Sequence, residues 1–230
     1  MRRYVQLFQN DVYSADLLEA VFIPKKEVIA ILELLNKNKS IIFKQKLQDY
    51  ELCKYLSSIL KSYKILFTYE KLEDDEENNF FLKGSYNHIS DIISIPCLSK
   101  INYISEDNYF NLFLKTFQLL IGHELVHRME YIQRALEKLS NKIGKDKDPK
   151  KYLSDPDEIM AYAWQTVEEL RYRFGDDQEI LNLIKSDSPI KYRVSYALTI
   201  YKTNFSLDEK LLKLFYKYVY MYLDSKEAKR

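Results

Sequence analysis

The chain has 230 residues, of which 47% are hydrophobic, enough for the core of one substantial domain. Its 35 basic and 34 acidic residues give a net charge of +1, which argues against nucleic acid or an anionic membrane surface as a partner. No apolar run reaches the ~18 residues of a transmembrane helix, and the polar residues that follow Arg2 and Arg3 do not fit a signal peptide.

The first hundred residues predict helices and a small sheet. Apolar residues at helical spacing predict helices over 11–36 and 47–62. Short runs of β-branched and aromatic residues predict strands, and the acidic run at 73–79 predicts a solvated hairpin loop. The predicted strands are Ser40–Lys44, Ile65–Tyr69, Phe80–Tyr86 with a bulge at Gly84, and Asp91–Ile95, the last two as separate strands or one bent strand, with Pro96 closing this part.

A long apolar run from Tyr109 to Ile132 predicts the central helix of the chain. The residues Ser105–Asp107 offer N-capping and acidic first-turn chemistry, and we expect the helix to continue to about Leu139. A polar, lysine-rich loop should follow over 141–151.

The remainder of the chain predicts helices. Asp155 is a suitable N-cap, Pro156 fits the first helical position, and Gly175 ends this helix. Further helices are expected over 178–186, after Pro189, and from a capping box formed by Ser206 and Glu209. The many tyrosines of these last helices are expected in an interfacial core or on an oligomer surface.

The central helix carries the sequence His123-Glu124-Leu125-Val126-His127, an H-E-x-x-H motif. Residues four apart lie about one turn apart on one helix face, so both imidazoles can bind a single Zn²⁺. Glu124 can hold and deprotonate a water bound to that metal. A chance combination of common helix residues is the alternative, but the chain has only three histidines and two of them are here.

A catalytic zinc site needs a third protein ligand. No histidine follows the motif, so the ligand is a later carboxylate or the upstream His88. We favour Glu158, which lies on a second helix that can fold back antiparallel, with Ala161 and Ala163 allowing close approach. Its alternative role is to complete the capping box of Asp155. Glu130 lies ~10 Å along the helix from His123, which suits a supporting or substrate-binding role better, and Glu168 and Glu169 are expected to be solvated.

The motif, followed by the stretch from Tyr152 to Ala163, resembles the gluzincin type of zinc metallopeptidase. More narrowly it is similar to small peptidases encoded by phages and bacteria in which a Pro-x-Glu-Ile-x-Ala-x-Ala helix follows the motif, and more loosely to the ImmA/IrrE-type peptidases that cleave repressors. The resemblance covers residues 80–170 and implies His123, His127 and Glu158 as zinc ligands and Glu124 as the catalytic base. The second motif of the large thermolysin-like enzymes is absent, and no helix-turn-helix is evident.

The predicted fold is α+β: a minimal zincin-like domain in which a small, mostly antiparallel sheet packs on the motif helix. One domain would span residues 1–230, with helices and sheet over 1–100, metal-site helices over 101–175 and a C-terminal helical extension over 176–230.

The predicted activity is hydrolysis of a peptide or protein substrate, which would pair with an edge strand beside the metal. Zinc would activate the water and Glu124 would carry its proton to the leaving amine. The tetrahedral oxyanion needs a further donor, and the order of preference is Tyr162, Tyr152, Arg128 and His88. The alternative function is a catalytically inert zincin-fold protein with a structural or partner-binding role in a phage.

Two cysteines, Cys53 and Cys97, are too few for a disulfide framework and favour free thiols in a reducing cytoplasm. A single disulfide in a secreted protein is the alternative. The abundance of Lys, Asn, Ile and Tyr is typical of AT-rich coding sequences, as in some bacteria and phages. We therefore expect a cytoplasmic protein, in the host cytoplasm if a phage encodes it.

Overall fold

Helices dominate the chain, and the strands of a three-stranded sheet come between the N-terminal helices and the central helix in chain order. The computed structural model describes residues 15–45, 47–69, 84–97, 104, 107–136 and 148–224. This composition confirms the α+β class. The helices are α1 (Ala15–Lys37), α2 (Lys39–Gln45), α3 (Asp49–Ile59), α4 (Asp107–Leu136), α5 (Pro149–Leu153), α6 (Pro156–Phe174), α7 (Asp177–Lys185), α8 (Ile190–Val194), α9 (Tyr196–Asn204) and α10 (Glu209–Asp224), and the strands are β1 (Ile65–Tyr69), β2 (Ser85–Asn87) and β3 (Ile92–Cys97).

The N-terminal helices follow the predicted periodicity with one exception. Val28, Ile31 and Leu35 of α1 are all buried, which confirms a helical apolar stripe. The predicted strand at Ser40–Lys44 is wrong, because these residues belong to α2. The carbonyl of Asn38 accepts hydrogen bonds from the amides of Ile41 and Ile42, both at 3.0 Å, and starts a helical turn. Ile42 is then buried while Ile41 remains exposed.

The sheet has the strand order β1-β3-β2 and is mixed. The prediction of a mostly antiparallel sheet is wrong, because β1 pairs with β3 in parallel, from Ile65 opposite Ile93 to Tyr69 opposite Cys97. Only β2 runs antiparallel to β3, joined to it by the turn at 88–91. The acidic run at 73–79 and the first part of the predicted strand at 80–86 lie outside the described residues.

Pro96 lies within β3 and does not close the sheet region as predicted. Proline cannot donate a ladder hydrogen bond, so it disrupts a strand that is paired on both sides. In the described part of the sheet, the pairing of β2 with β3 extends only from Asn87 to Ser85, which lies opposite Ser94. At Pro96 the strand pairs with Thr68 of β1, and no described residue of β2 lies opposite it.

Helices α4 and α6 form the centre of the molecule and run antiparallel. Lys115 contacts Tyr172, and Gln118 contacts Glu168. Residue numbers therefore increase along α4 in the direction in which they decrease along α6. The core-facing side of α4 is aromatic, and its rings stack on one another and on Phe67 of the sheet. The fully buried members of this face are Phe110, Phe113, Phe117 and Ile121.

The ends of α6 confirm the predicted start and stop signals. The Asp155 carboxylate accepts a hydrogen bond of 3.0 Å from the amide of Asp157, and Pro156 occupies the first helical position. Gly175 ends the helix with a φ of +77°, in the left-handed region that favours glycine.

The last helices pack against α6 and differ from prediction at two points. The helix expected after Pro189 is divided into α8 and α9 at Ser195, whose hydroxyl caps α9 by accepting a hydrogen bond from the amide of Leu198. The predicted capping box of Ser206 and Glu209 is wrong: α10 begins at Glu209, and the Asp208 carboxylate accepts from the Leu211 amide at 3.0 Å. None of the helices in the described ranges has the length and apolar content that crossing a bilayer requires.

Candidate metal centre

The two motif histidines lie on one face of α4, as their spacing of four residues dictates. The ring centroids of His123 and His127 are 4.9 Å apart. The helix passes through the core here, so His123 is buried and His127 is half-buried. Both Nε2 atoms face the first turn of α6.

Glu158 joins these histidines from the first turn of α6. Its Oε2 lies 3.5 Å from Nε2 of His123, and its Oε1 lies 3.4 Å from Nε2 of His127. One ligand atom from each of the three residues lies within 4.8 Å of the others. The amide of Asp155 donates instead to the carbonyl of Tyr152, so Glu158 does not act as the capping-box partner.

Small residues allow α4 and α6 to approach closely enough for this arrangement. Ala161 and Ala163 are both fully buried. Gly122, immediately before His123, is the tightest point. A Cβ atom there would lie 1.9 Å from the ring of Trp164, a distance that no real contact reaches. Sequence reasoning missed Gly122, although it is the only glycine in the central helix.

The three side chains fit a zinc ion. Ligands in tetrahedral coordination at ~2.0–2.1 Å from zinc are ~3.3–3.4 Å from each other, which is close to the two carboxylate–imidazole distances here. Two histidines and one carboxylate are also the ligand set of open, catalytic zinc sites. In addition, Oε2 of Glu158, the oxygen nearest to Nε2 of His123, is buried and has no hydrogen-bond partner within the described residues.

The electrostatics of the cluster favour an ionised carboxylate. Burial alone would raise the pKa of Glu158, but the neighbouring histidines and a hydrogen bond from the Tyr152 hydroxyl hold that pKa below its usual value. A charged carboxylate is the form that binds a cation.

Glu124 is buried beside this cluster but does not belong to it. Its side chain lies towards the sheet, at the start of edge strand β2. A Cβ atom added at Gly84 would lie 3.1 Å from both Cγ and Oε1 of Glu124. Because Gly84 has no side chain, the Glu124 carboxylate has room beside it. The sequence instead predicts a β-bulge at Gly84.

The four predicted oxyanion donors divide into two pairs. Tyr162 packs edge-on against His123 with ring centroids 4.9 Å apart, and burial raises its pKa to about 12. Tyr152 is the second donor near the site: burial and the neighbouring charge of Glu158 raise its pKa well above the usual value. The two others lie elsewhere: Arg128 is engaged with Asp91 and Glu27, and His88 packs against Tyr131 with ring centroids 5.1 Å apart.

Arg128 ties the motif helix to the β2–β3 turn. Its Nε and Nη2 donate to the two carboxylate oxygens of Asp91 at 2.8 and 3.1 Å. Asp91 has a φ of +52° and also accepts from Lys64 at 2.6 Å and from the Tyr86 hydroxyl at 3.2 Å. This carboxylate was not singled out from the sequence, because its basic partners Lys64 and Arg128 lie 27 and 37 residues away along the chain.

The other carboxylates considered from the sequence do not join the cluster. Glu130 is half-buried on α4, and the metal-competent group of the described residues does not include it. The expectation that Glu168 and Glu169 are solvated is wrong. Glu168 is buried and accepts hydrogen bonds from Gln118 at 2.8 Å and Arg171 at 2.6 Å. Glu169 accepts from the Ser195 hydroxyl at 2.6 Å.

Comparisons with protein-family models, with curated proteins and with solved structures find no match to this chain.

Proposed function

We propose that the protein is a zinc-dependent peptidase of the gluzincin type. The observation that carries this proposal is the convergence of His123, His127 and Glu158, from two helices, into one group of metal-competent atoms within 4.8 Å. A buried carboxylate that is not a ligand, Glu124, lies beside them. This combination is what metal-assisted hydrolysis requires.

His123, His127 and Glu158 would hold the zinc, leaving its fourth position for water or substrate. When bound, zinc polarises a carbonyl and lowers the pKa of water towards ~7. Glu124 acts as the general base, taking the proton of the attacking water on its carboxylate and passing it to the leaving amine. Tyr162, whose raised pKa keeps its hydroxyl protonated at neutral pH, is the donor that we assign to the oxyanion.

The sheet favours an extended peptide as the substrate. In the described part of the sheet, β2 is an edge strand, and α4 packs against it. An edge strand offers backbone hydrogen bonds to a peptide that adds itself to the sheet. Gly84, just before the start of β2, lies next to Glu124, so a peptide bound there would pass the catalytic base.

The reducing cytoplasm is the proposed compartment, which is the host cytoplasm if a phage encodes the chain. Both cysteines are buried and free, and reduced thiols are the usual state in that compartment.

The test is a comparison of the wild type with Glu124→Gln. Both proteins should hold about one zinc per chain, because Glu124 is not a ligand. The zinc-loaded wild type should cleave members of a fluorescence-quenched peptide library, and Glu124→Gln should lose this cleavage. Zinc-loaded wild type that leaves the library intact would favour the alternative function, an inert zincin-fold protein. Loss of zinc in Glu124→Gln would contradict the assignment of Glu124 as base.

A further inference from the structure

One side of α4 carries an anchor for the turn after strand β2, one helical turn beyond the proposed catalytic base. Arg128 follows Glu124 by four residues, so the two side chains lie on the same side of the helix. The Arg128 guanidinium donates from Nε to Oδ1 of Asp91 at 2.8 Å and from Nη2 to Oδ2 at 3.1 Å. Two parallel hydrogen bonds of this kind make an arginine–carboxylate contact strong and fix its direction.

Asp91 connects this anchor to the strand itself. It lies in the turn that joins β2 to β3. Tyr86, the central residue of β2, donates from its hydroxyl to Oδ1 of Asp91 at 3.2 Å. The ring of Tyr86 also packs against Tyr131 of α4, with ring centroids 6.2 Å apart. The strand is therefore tied to α4 through both the hydroxyl and the ring of one residue.

Strand β2 depends on such contacts because its own pairing is short. It has three residues, and in the described part of the sheet it pairs only with β3. Just before its start, Gly84 lies against Glu124. After its end, Asp91 is bound by Arg128. Two points therefore set the line of β2 along α4, and one of them is the proposed base.

Arg128 is itself fixed by contacts on its other side. Its Nη1 donates to the carbonyl of Tyr63, shortly before β1, and to Oε1 of Glu27 on α1, both at 3.3 Å. Its side chain is only 15% exposed. Because parts of the chain outside α4 hold the guanidinium, Arg128 is a fixed point in the fold and not a mobile surface cation.

We propose that Arg128 is a positioning residue that keeps edge strand β2 aligned with Glu124, so that a peptide added to this strand passes the proposed metal centre in the correct place. The proposal rests on the proposed function and deepens it. Alignment matters because a misplacement of about 1 Å can lower the rate of an enzyme about 100-fold. The link from Arg128 to Asp91 joins the helix that carries the base to the strand that would bind the substrate.

This role differs from that of an oxyanion donor, which the sequence also suggested for Arg128. An oxyanion donor stabilises the transition state, so its loss lowers kcat. The edge strand binds the peptide in the ground state and in the transition state alike, so a displaced strand raises KM and leaves kcat nearly unchanged. The effects on KM and on kcat therefore separate the two roles.

The experiment compares Arg128→Gln with the wild type on the full, zinc-loaded chain. Hydrogen exchange of the backbone amides over residues 84–97 should be faster in the variant, and this measurement needs no substrate. With a library peptide that the wild type cleaves, KM should rise by about 10–100-fold. The kcat, and the zinc affinity measured against a chromogenic chelator, should stay at their wild-type values.

The matched control is Lys64→Gln. Lys64 donates to the same carboxylate at 2.6 Å, but it is half-exposed and lies immediately before β1, not on α4. Its loss removes one charge beside Asp91 and keeps the link to the helix, so exchange and KM should equal those of the wild type. A second variant, Asp91→Asn, weakens the link from the strand side and should change both readouts in the same direction as Arg128→Gln. The two changes together should have less than the product of their separate effects on KM.

Several results would overturn the role of Arg128. Equal exchange rates in Arg128→Gln and the wild type would do so, and so would a fall in kcat at unchanged KM. The same losses in Lys64→Gln would assign the effect to the charge around Asp91 and not to the link. If Arg128→Gln does not fold, unchanged exchange and KM in Asp91→Asn would overturn the role. A zinc-loaded wild type that cleaves no peptide would instead overturn the proposed function, and the exchange rates would still decide whether Arg128 holds the strand.

Discussion

The contact between Gly122 and Trp164 sets how closely helices α4 and α6 approach each other. Gly122→Ala should disrupt this contact. A Cβ atom there would lie 1.9, 2.2 and 2.4 Å from three ring atoms of Trp164, whereas ordinary contacts begin near 3.4 Å. The helices would have to separate by about 1.5 Å. Overpacking of this kind costs about 1–3 kcal/mol and occasionally more, while alanine gains about 1 kcal/mol in helix propensity.

Because the clash involves a rigid, buried ring and not the end of a flexible side chain, we expect the steric cost to be at the upper end of that range. The net loss of stability should be about 2 kcal/mol, or roughly 4–8 °C in melting temperature for a chain of this size. The separation also moves Glu158 away from His123, so zinc affinity should fall as well.

The assay is thermal unfolding of apoproteins, followed by zinc titration. The control is Trp164→Phe, alone and combined with Gly122→Ala, because phenylalanine lacks the three ring atoms involved. In the double variant the cost of the alanine should largely vanish, which gives a favourable coupling energy. A Gly122→Ala protein that is as stable as the wild type, with no coupling to Trp164→Phe, would refute the close approach of α4 and α6.

Two further predictions concern charge and metal. Asp91→Asn should cost about 1–2 kcal/mol at pH 7, because the carboxylate accepts from Arg128 and Lys64; asparagine also tolerates the positive φ. Burial raises the pKa of Asp91, but these partners outweigh burial and lower that pKa below 3.8. The stability that the Asp91 carboxylate contributes is therefore complete above pH 3.8 and is lost as the pH falls through the folded-state pKa. Melting temperatures of the variant and wild type should therefore approach each other as the pH falls below 3.8, and a gap that does not narrow in acid would be contrary to this account. For the metal, free zinc at 100 times its dissociation constant should stabilise the wild type by ~2.7 kcal/mol and leave His123→Ala unchanged; the same upward shift in both proteins would place the binding elsewhere.

The features that the sequence predicted well are encoded locally. The helix start at Asp155 and Pro156 follows from capping chemistry within four residues, and the structure has it there. The common face of His123 and His127 follows from helical spacing alone. Placing Glu158 opposite them required one non-local argument, the need for a third ligand, and the structure brings the three residues together.

The features that were missed depend on partners distant in the chain. The parallel pairing of β1 with β3 is a tertiary choice that no local pattern encodes. Glu168 is buried because Gln118, 50 residues earlier, meets it across the helix pair. The run Ile41-Ile42-Phe43 is too short for its periodicity to distinguish a strand from a helix. In the structure it is helical, and Ile42 is buried in the core.

The central claim is that Glu158 completes a zinc site with the two motif histidines, and a zinc titration of Glu158→Gln beside the wild type tests it most directly. The account predicts one zinc per wild-type chain and a loss of affinity by orders of magnitude in the variant, because the amide is a poor substitute for a carboxylate ligand. Apoprotein melting temperatures of both proteins are the control for the fold, because Glu158→Gln keeps the size of the side chain and removes only its charge. Equal zinc affinities of the two proteins would contradict the claim and remove Glu158 from the coordination shell.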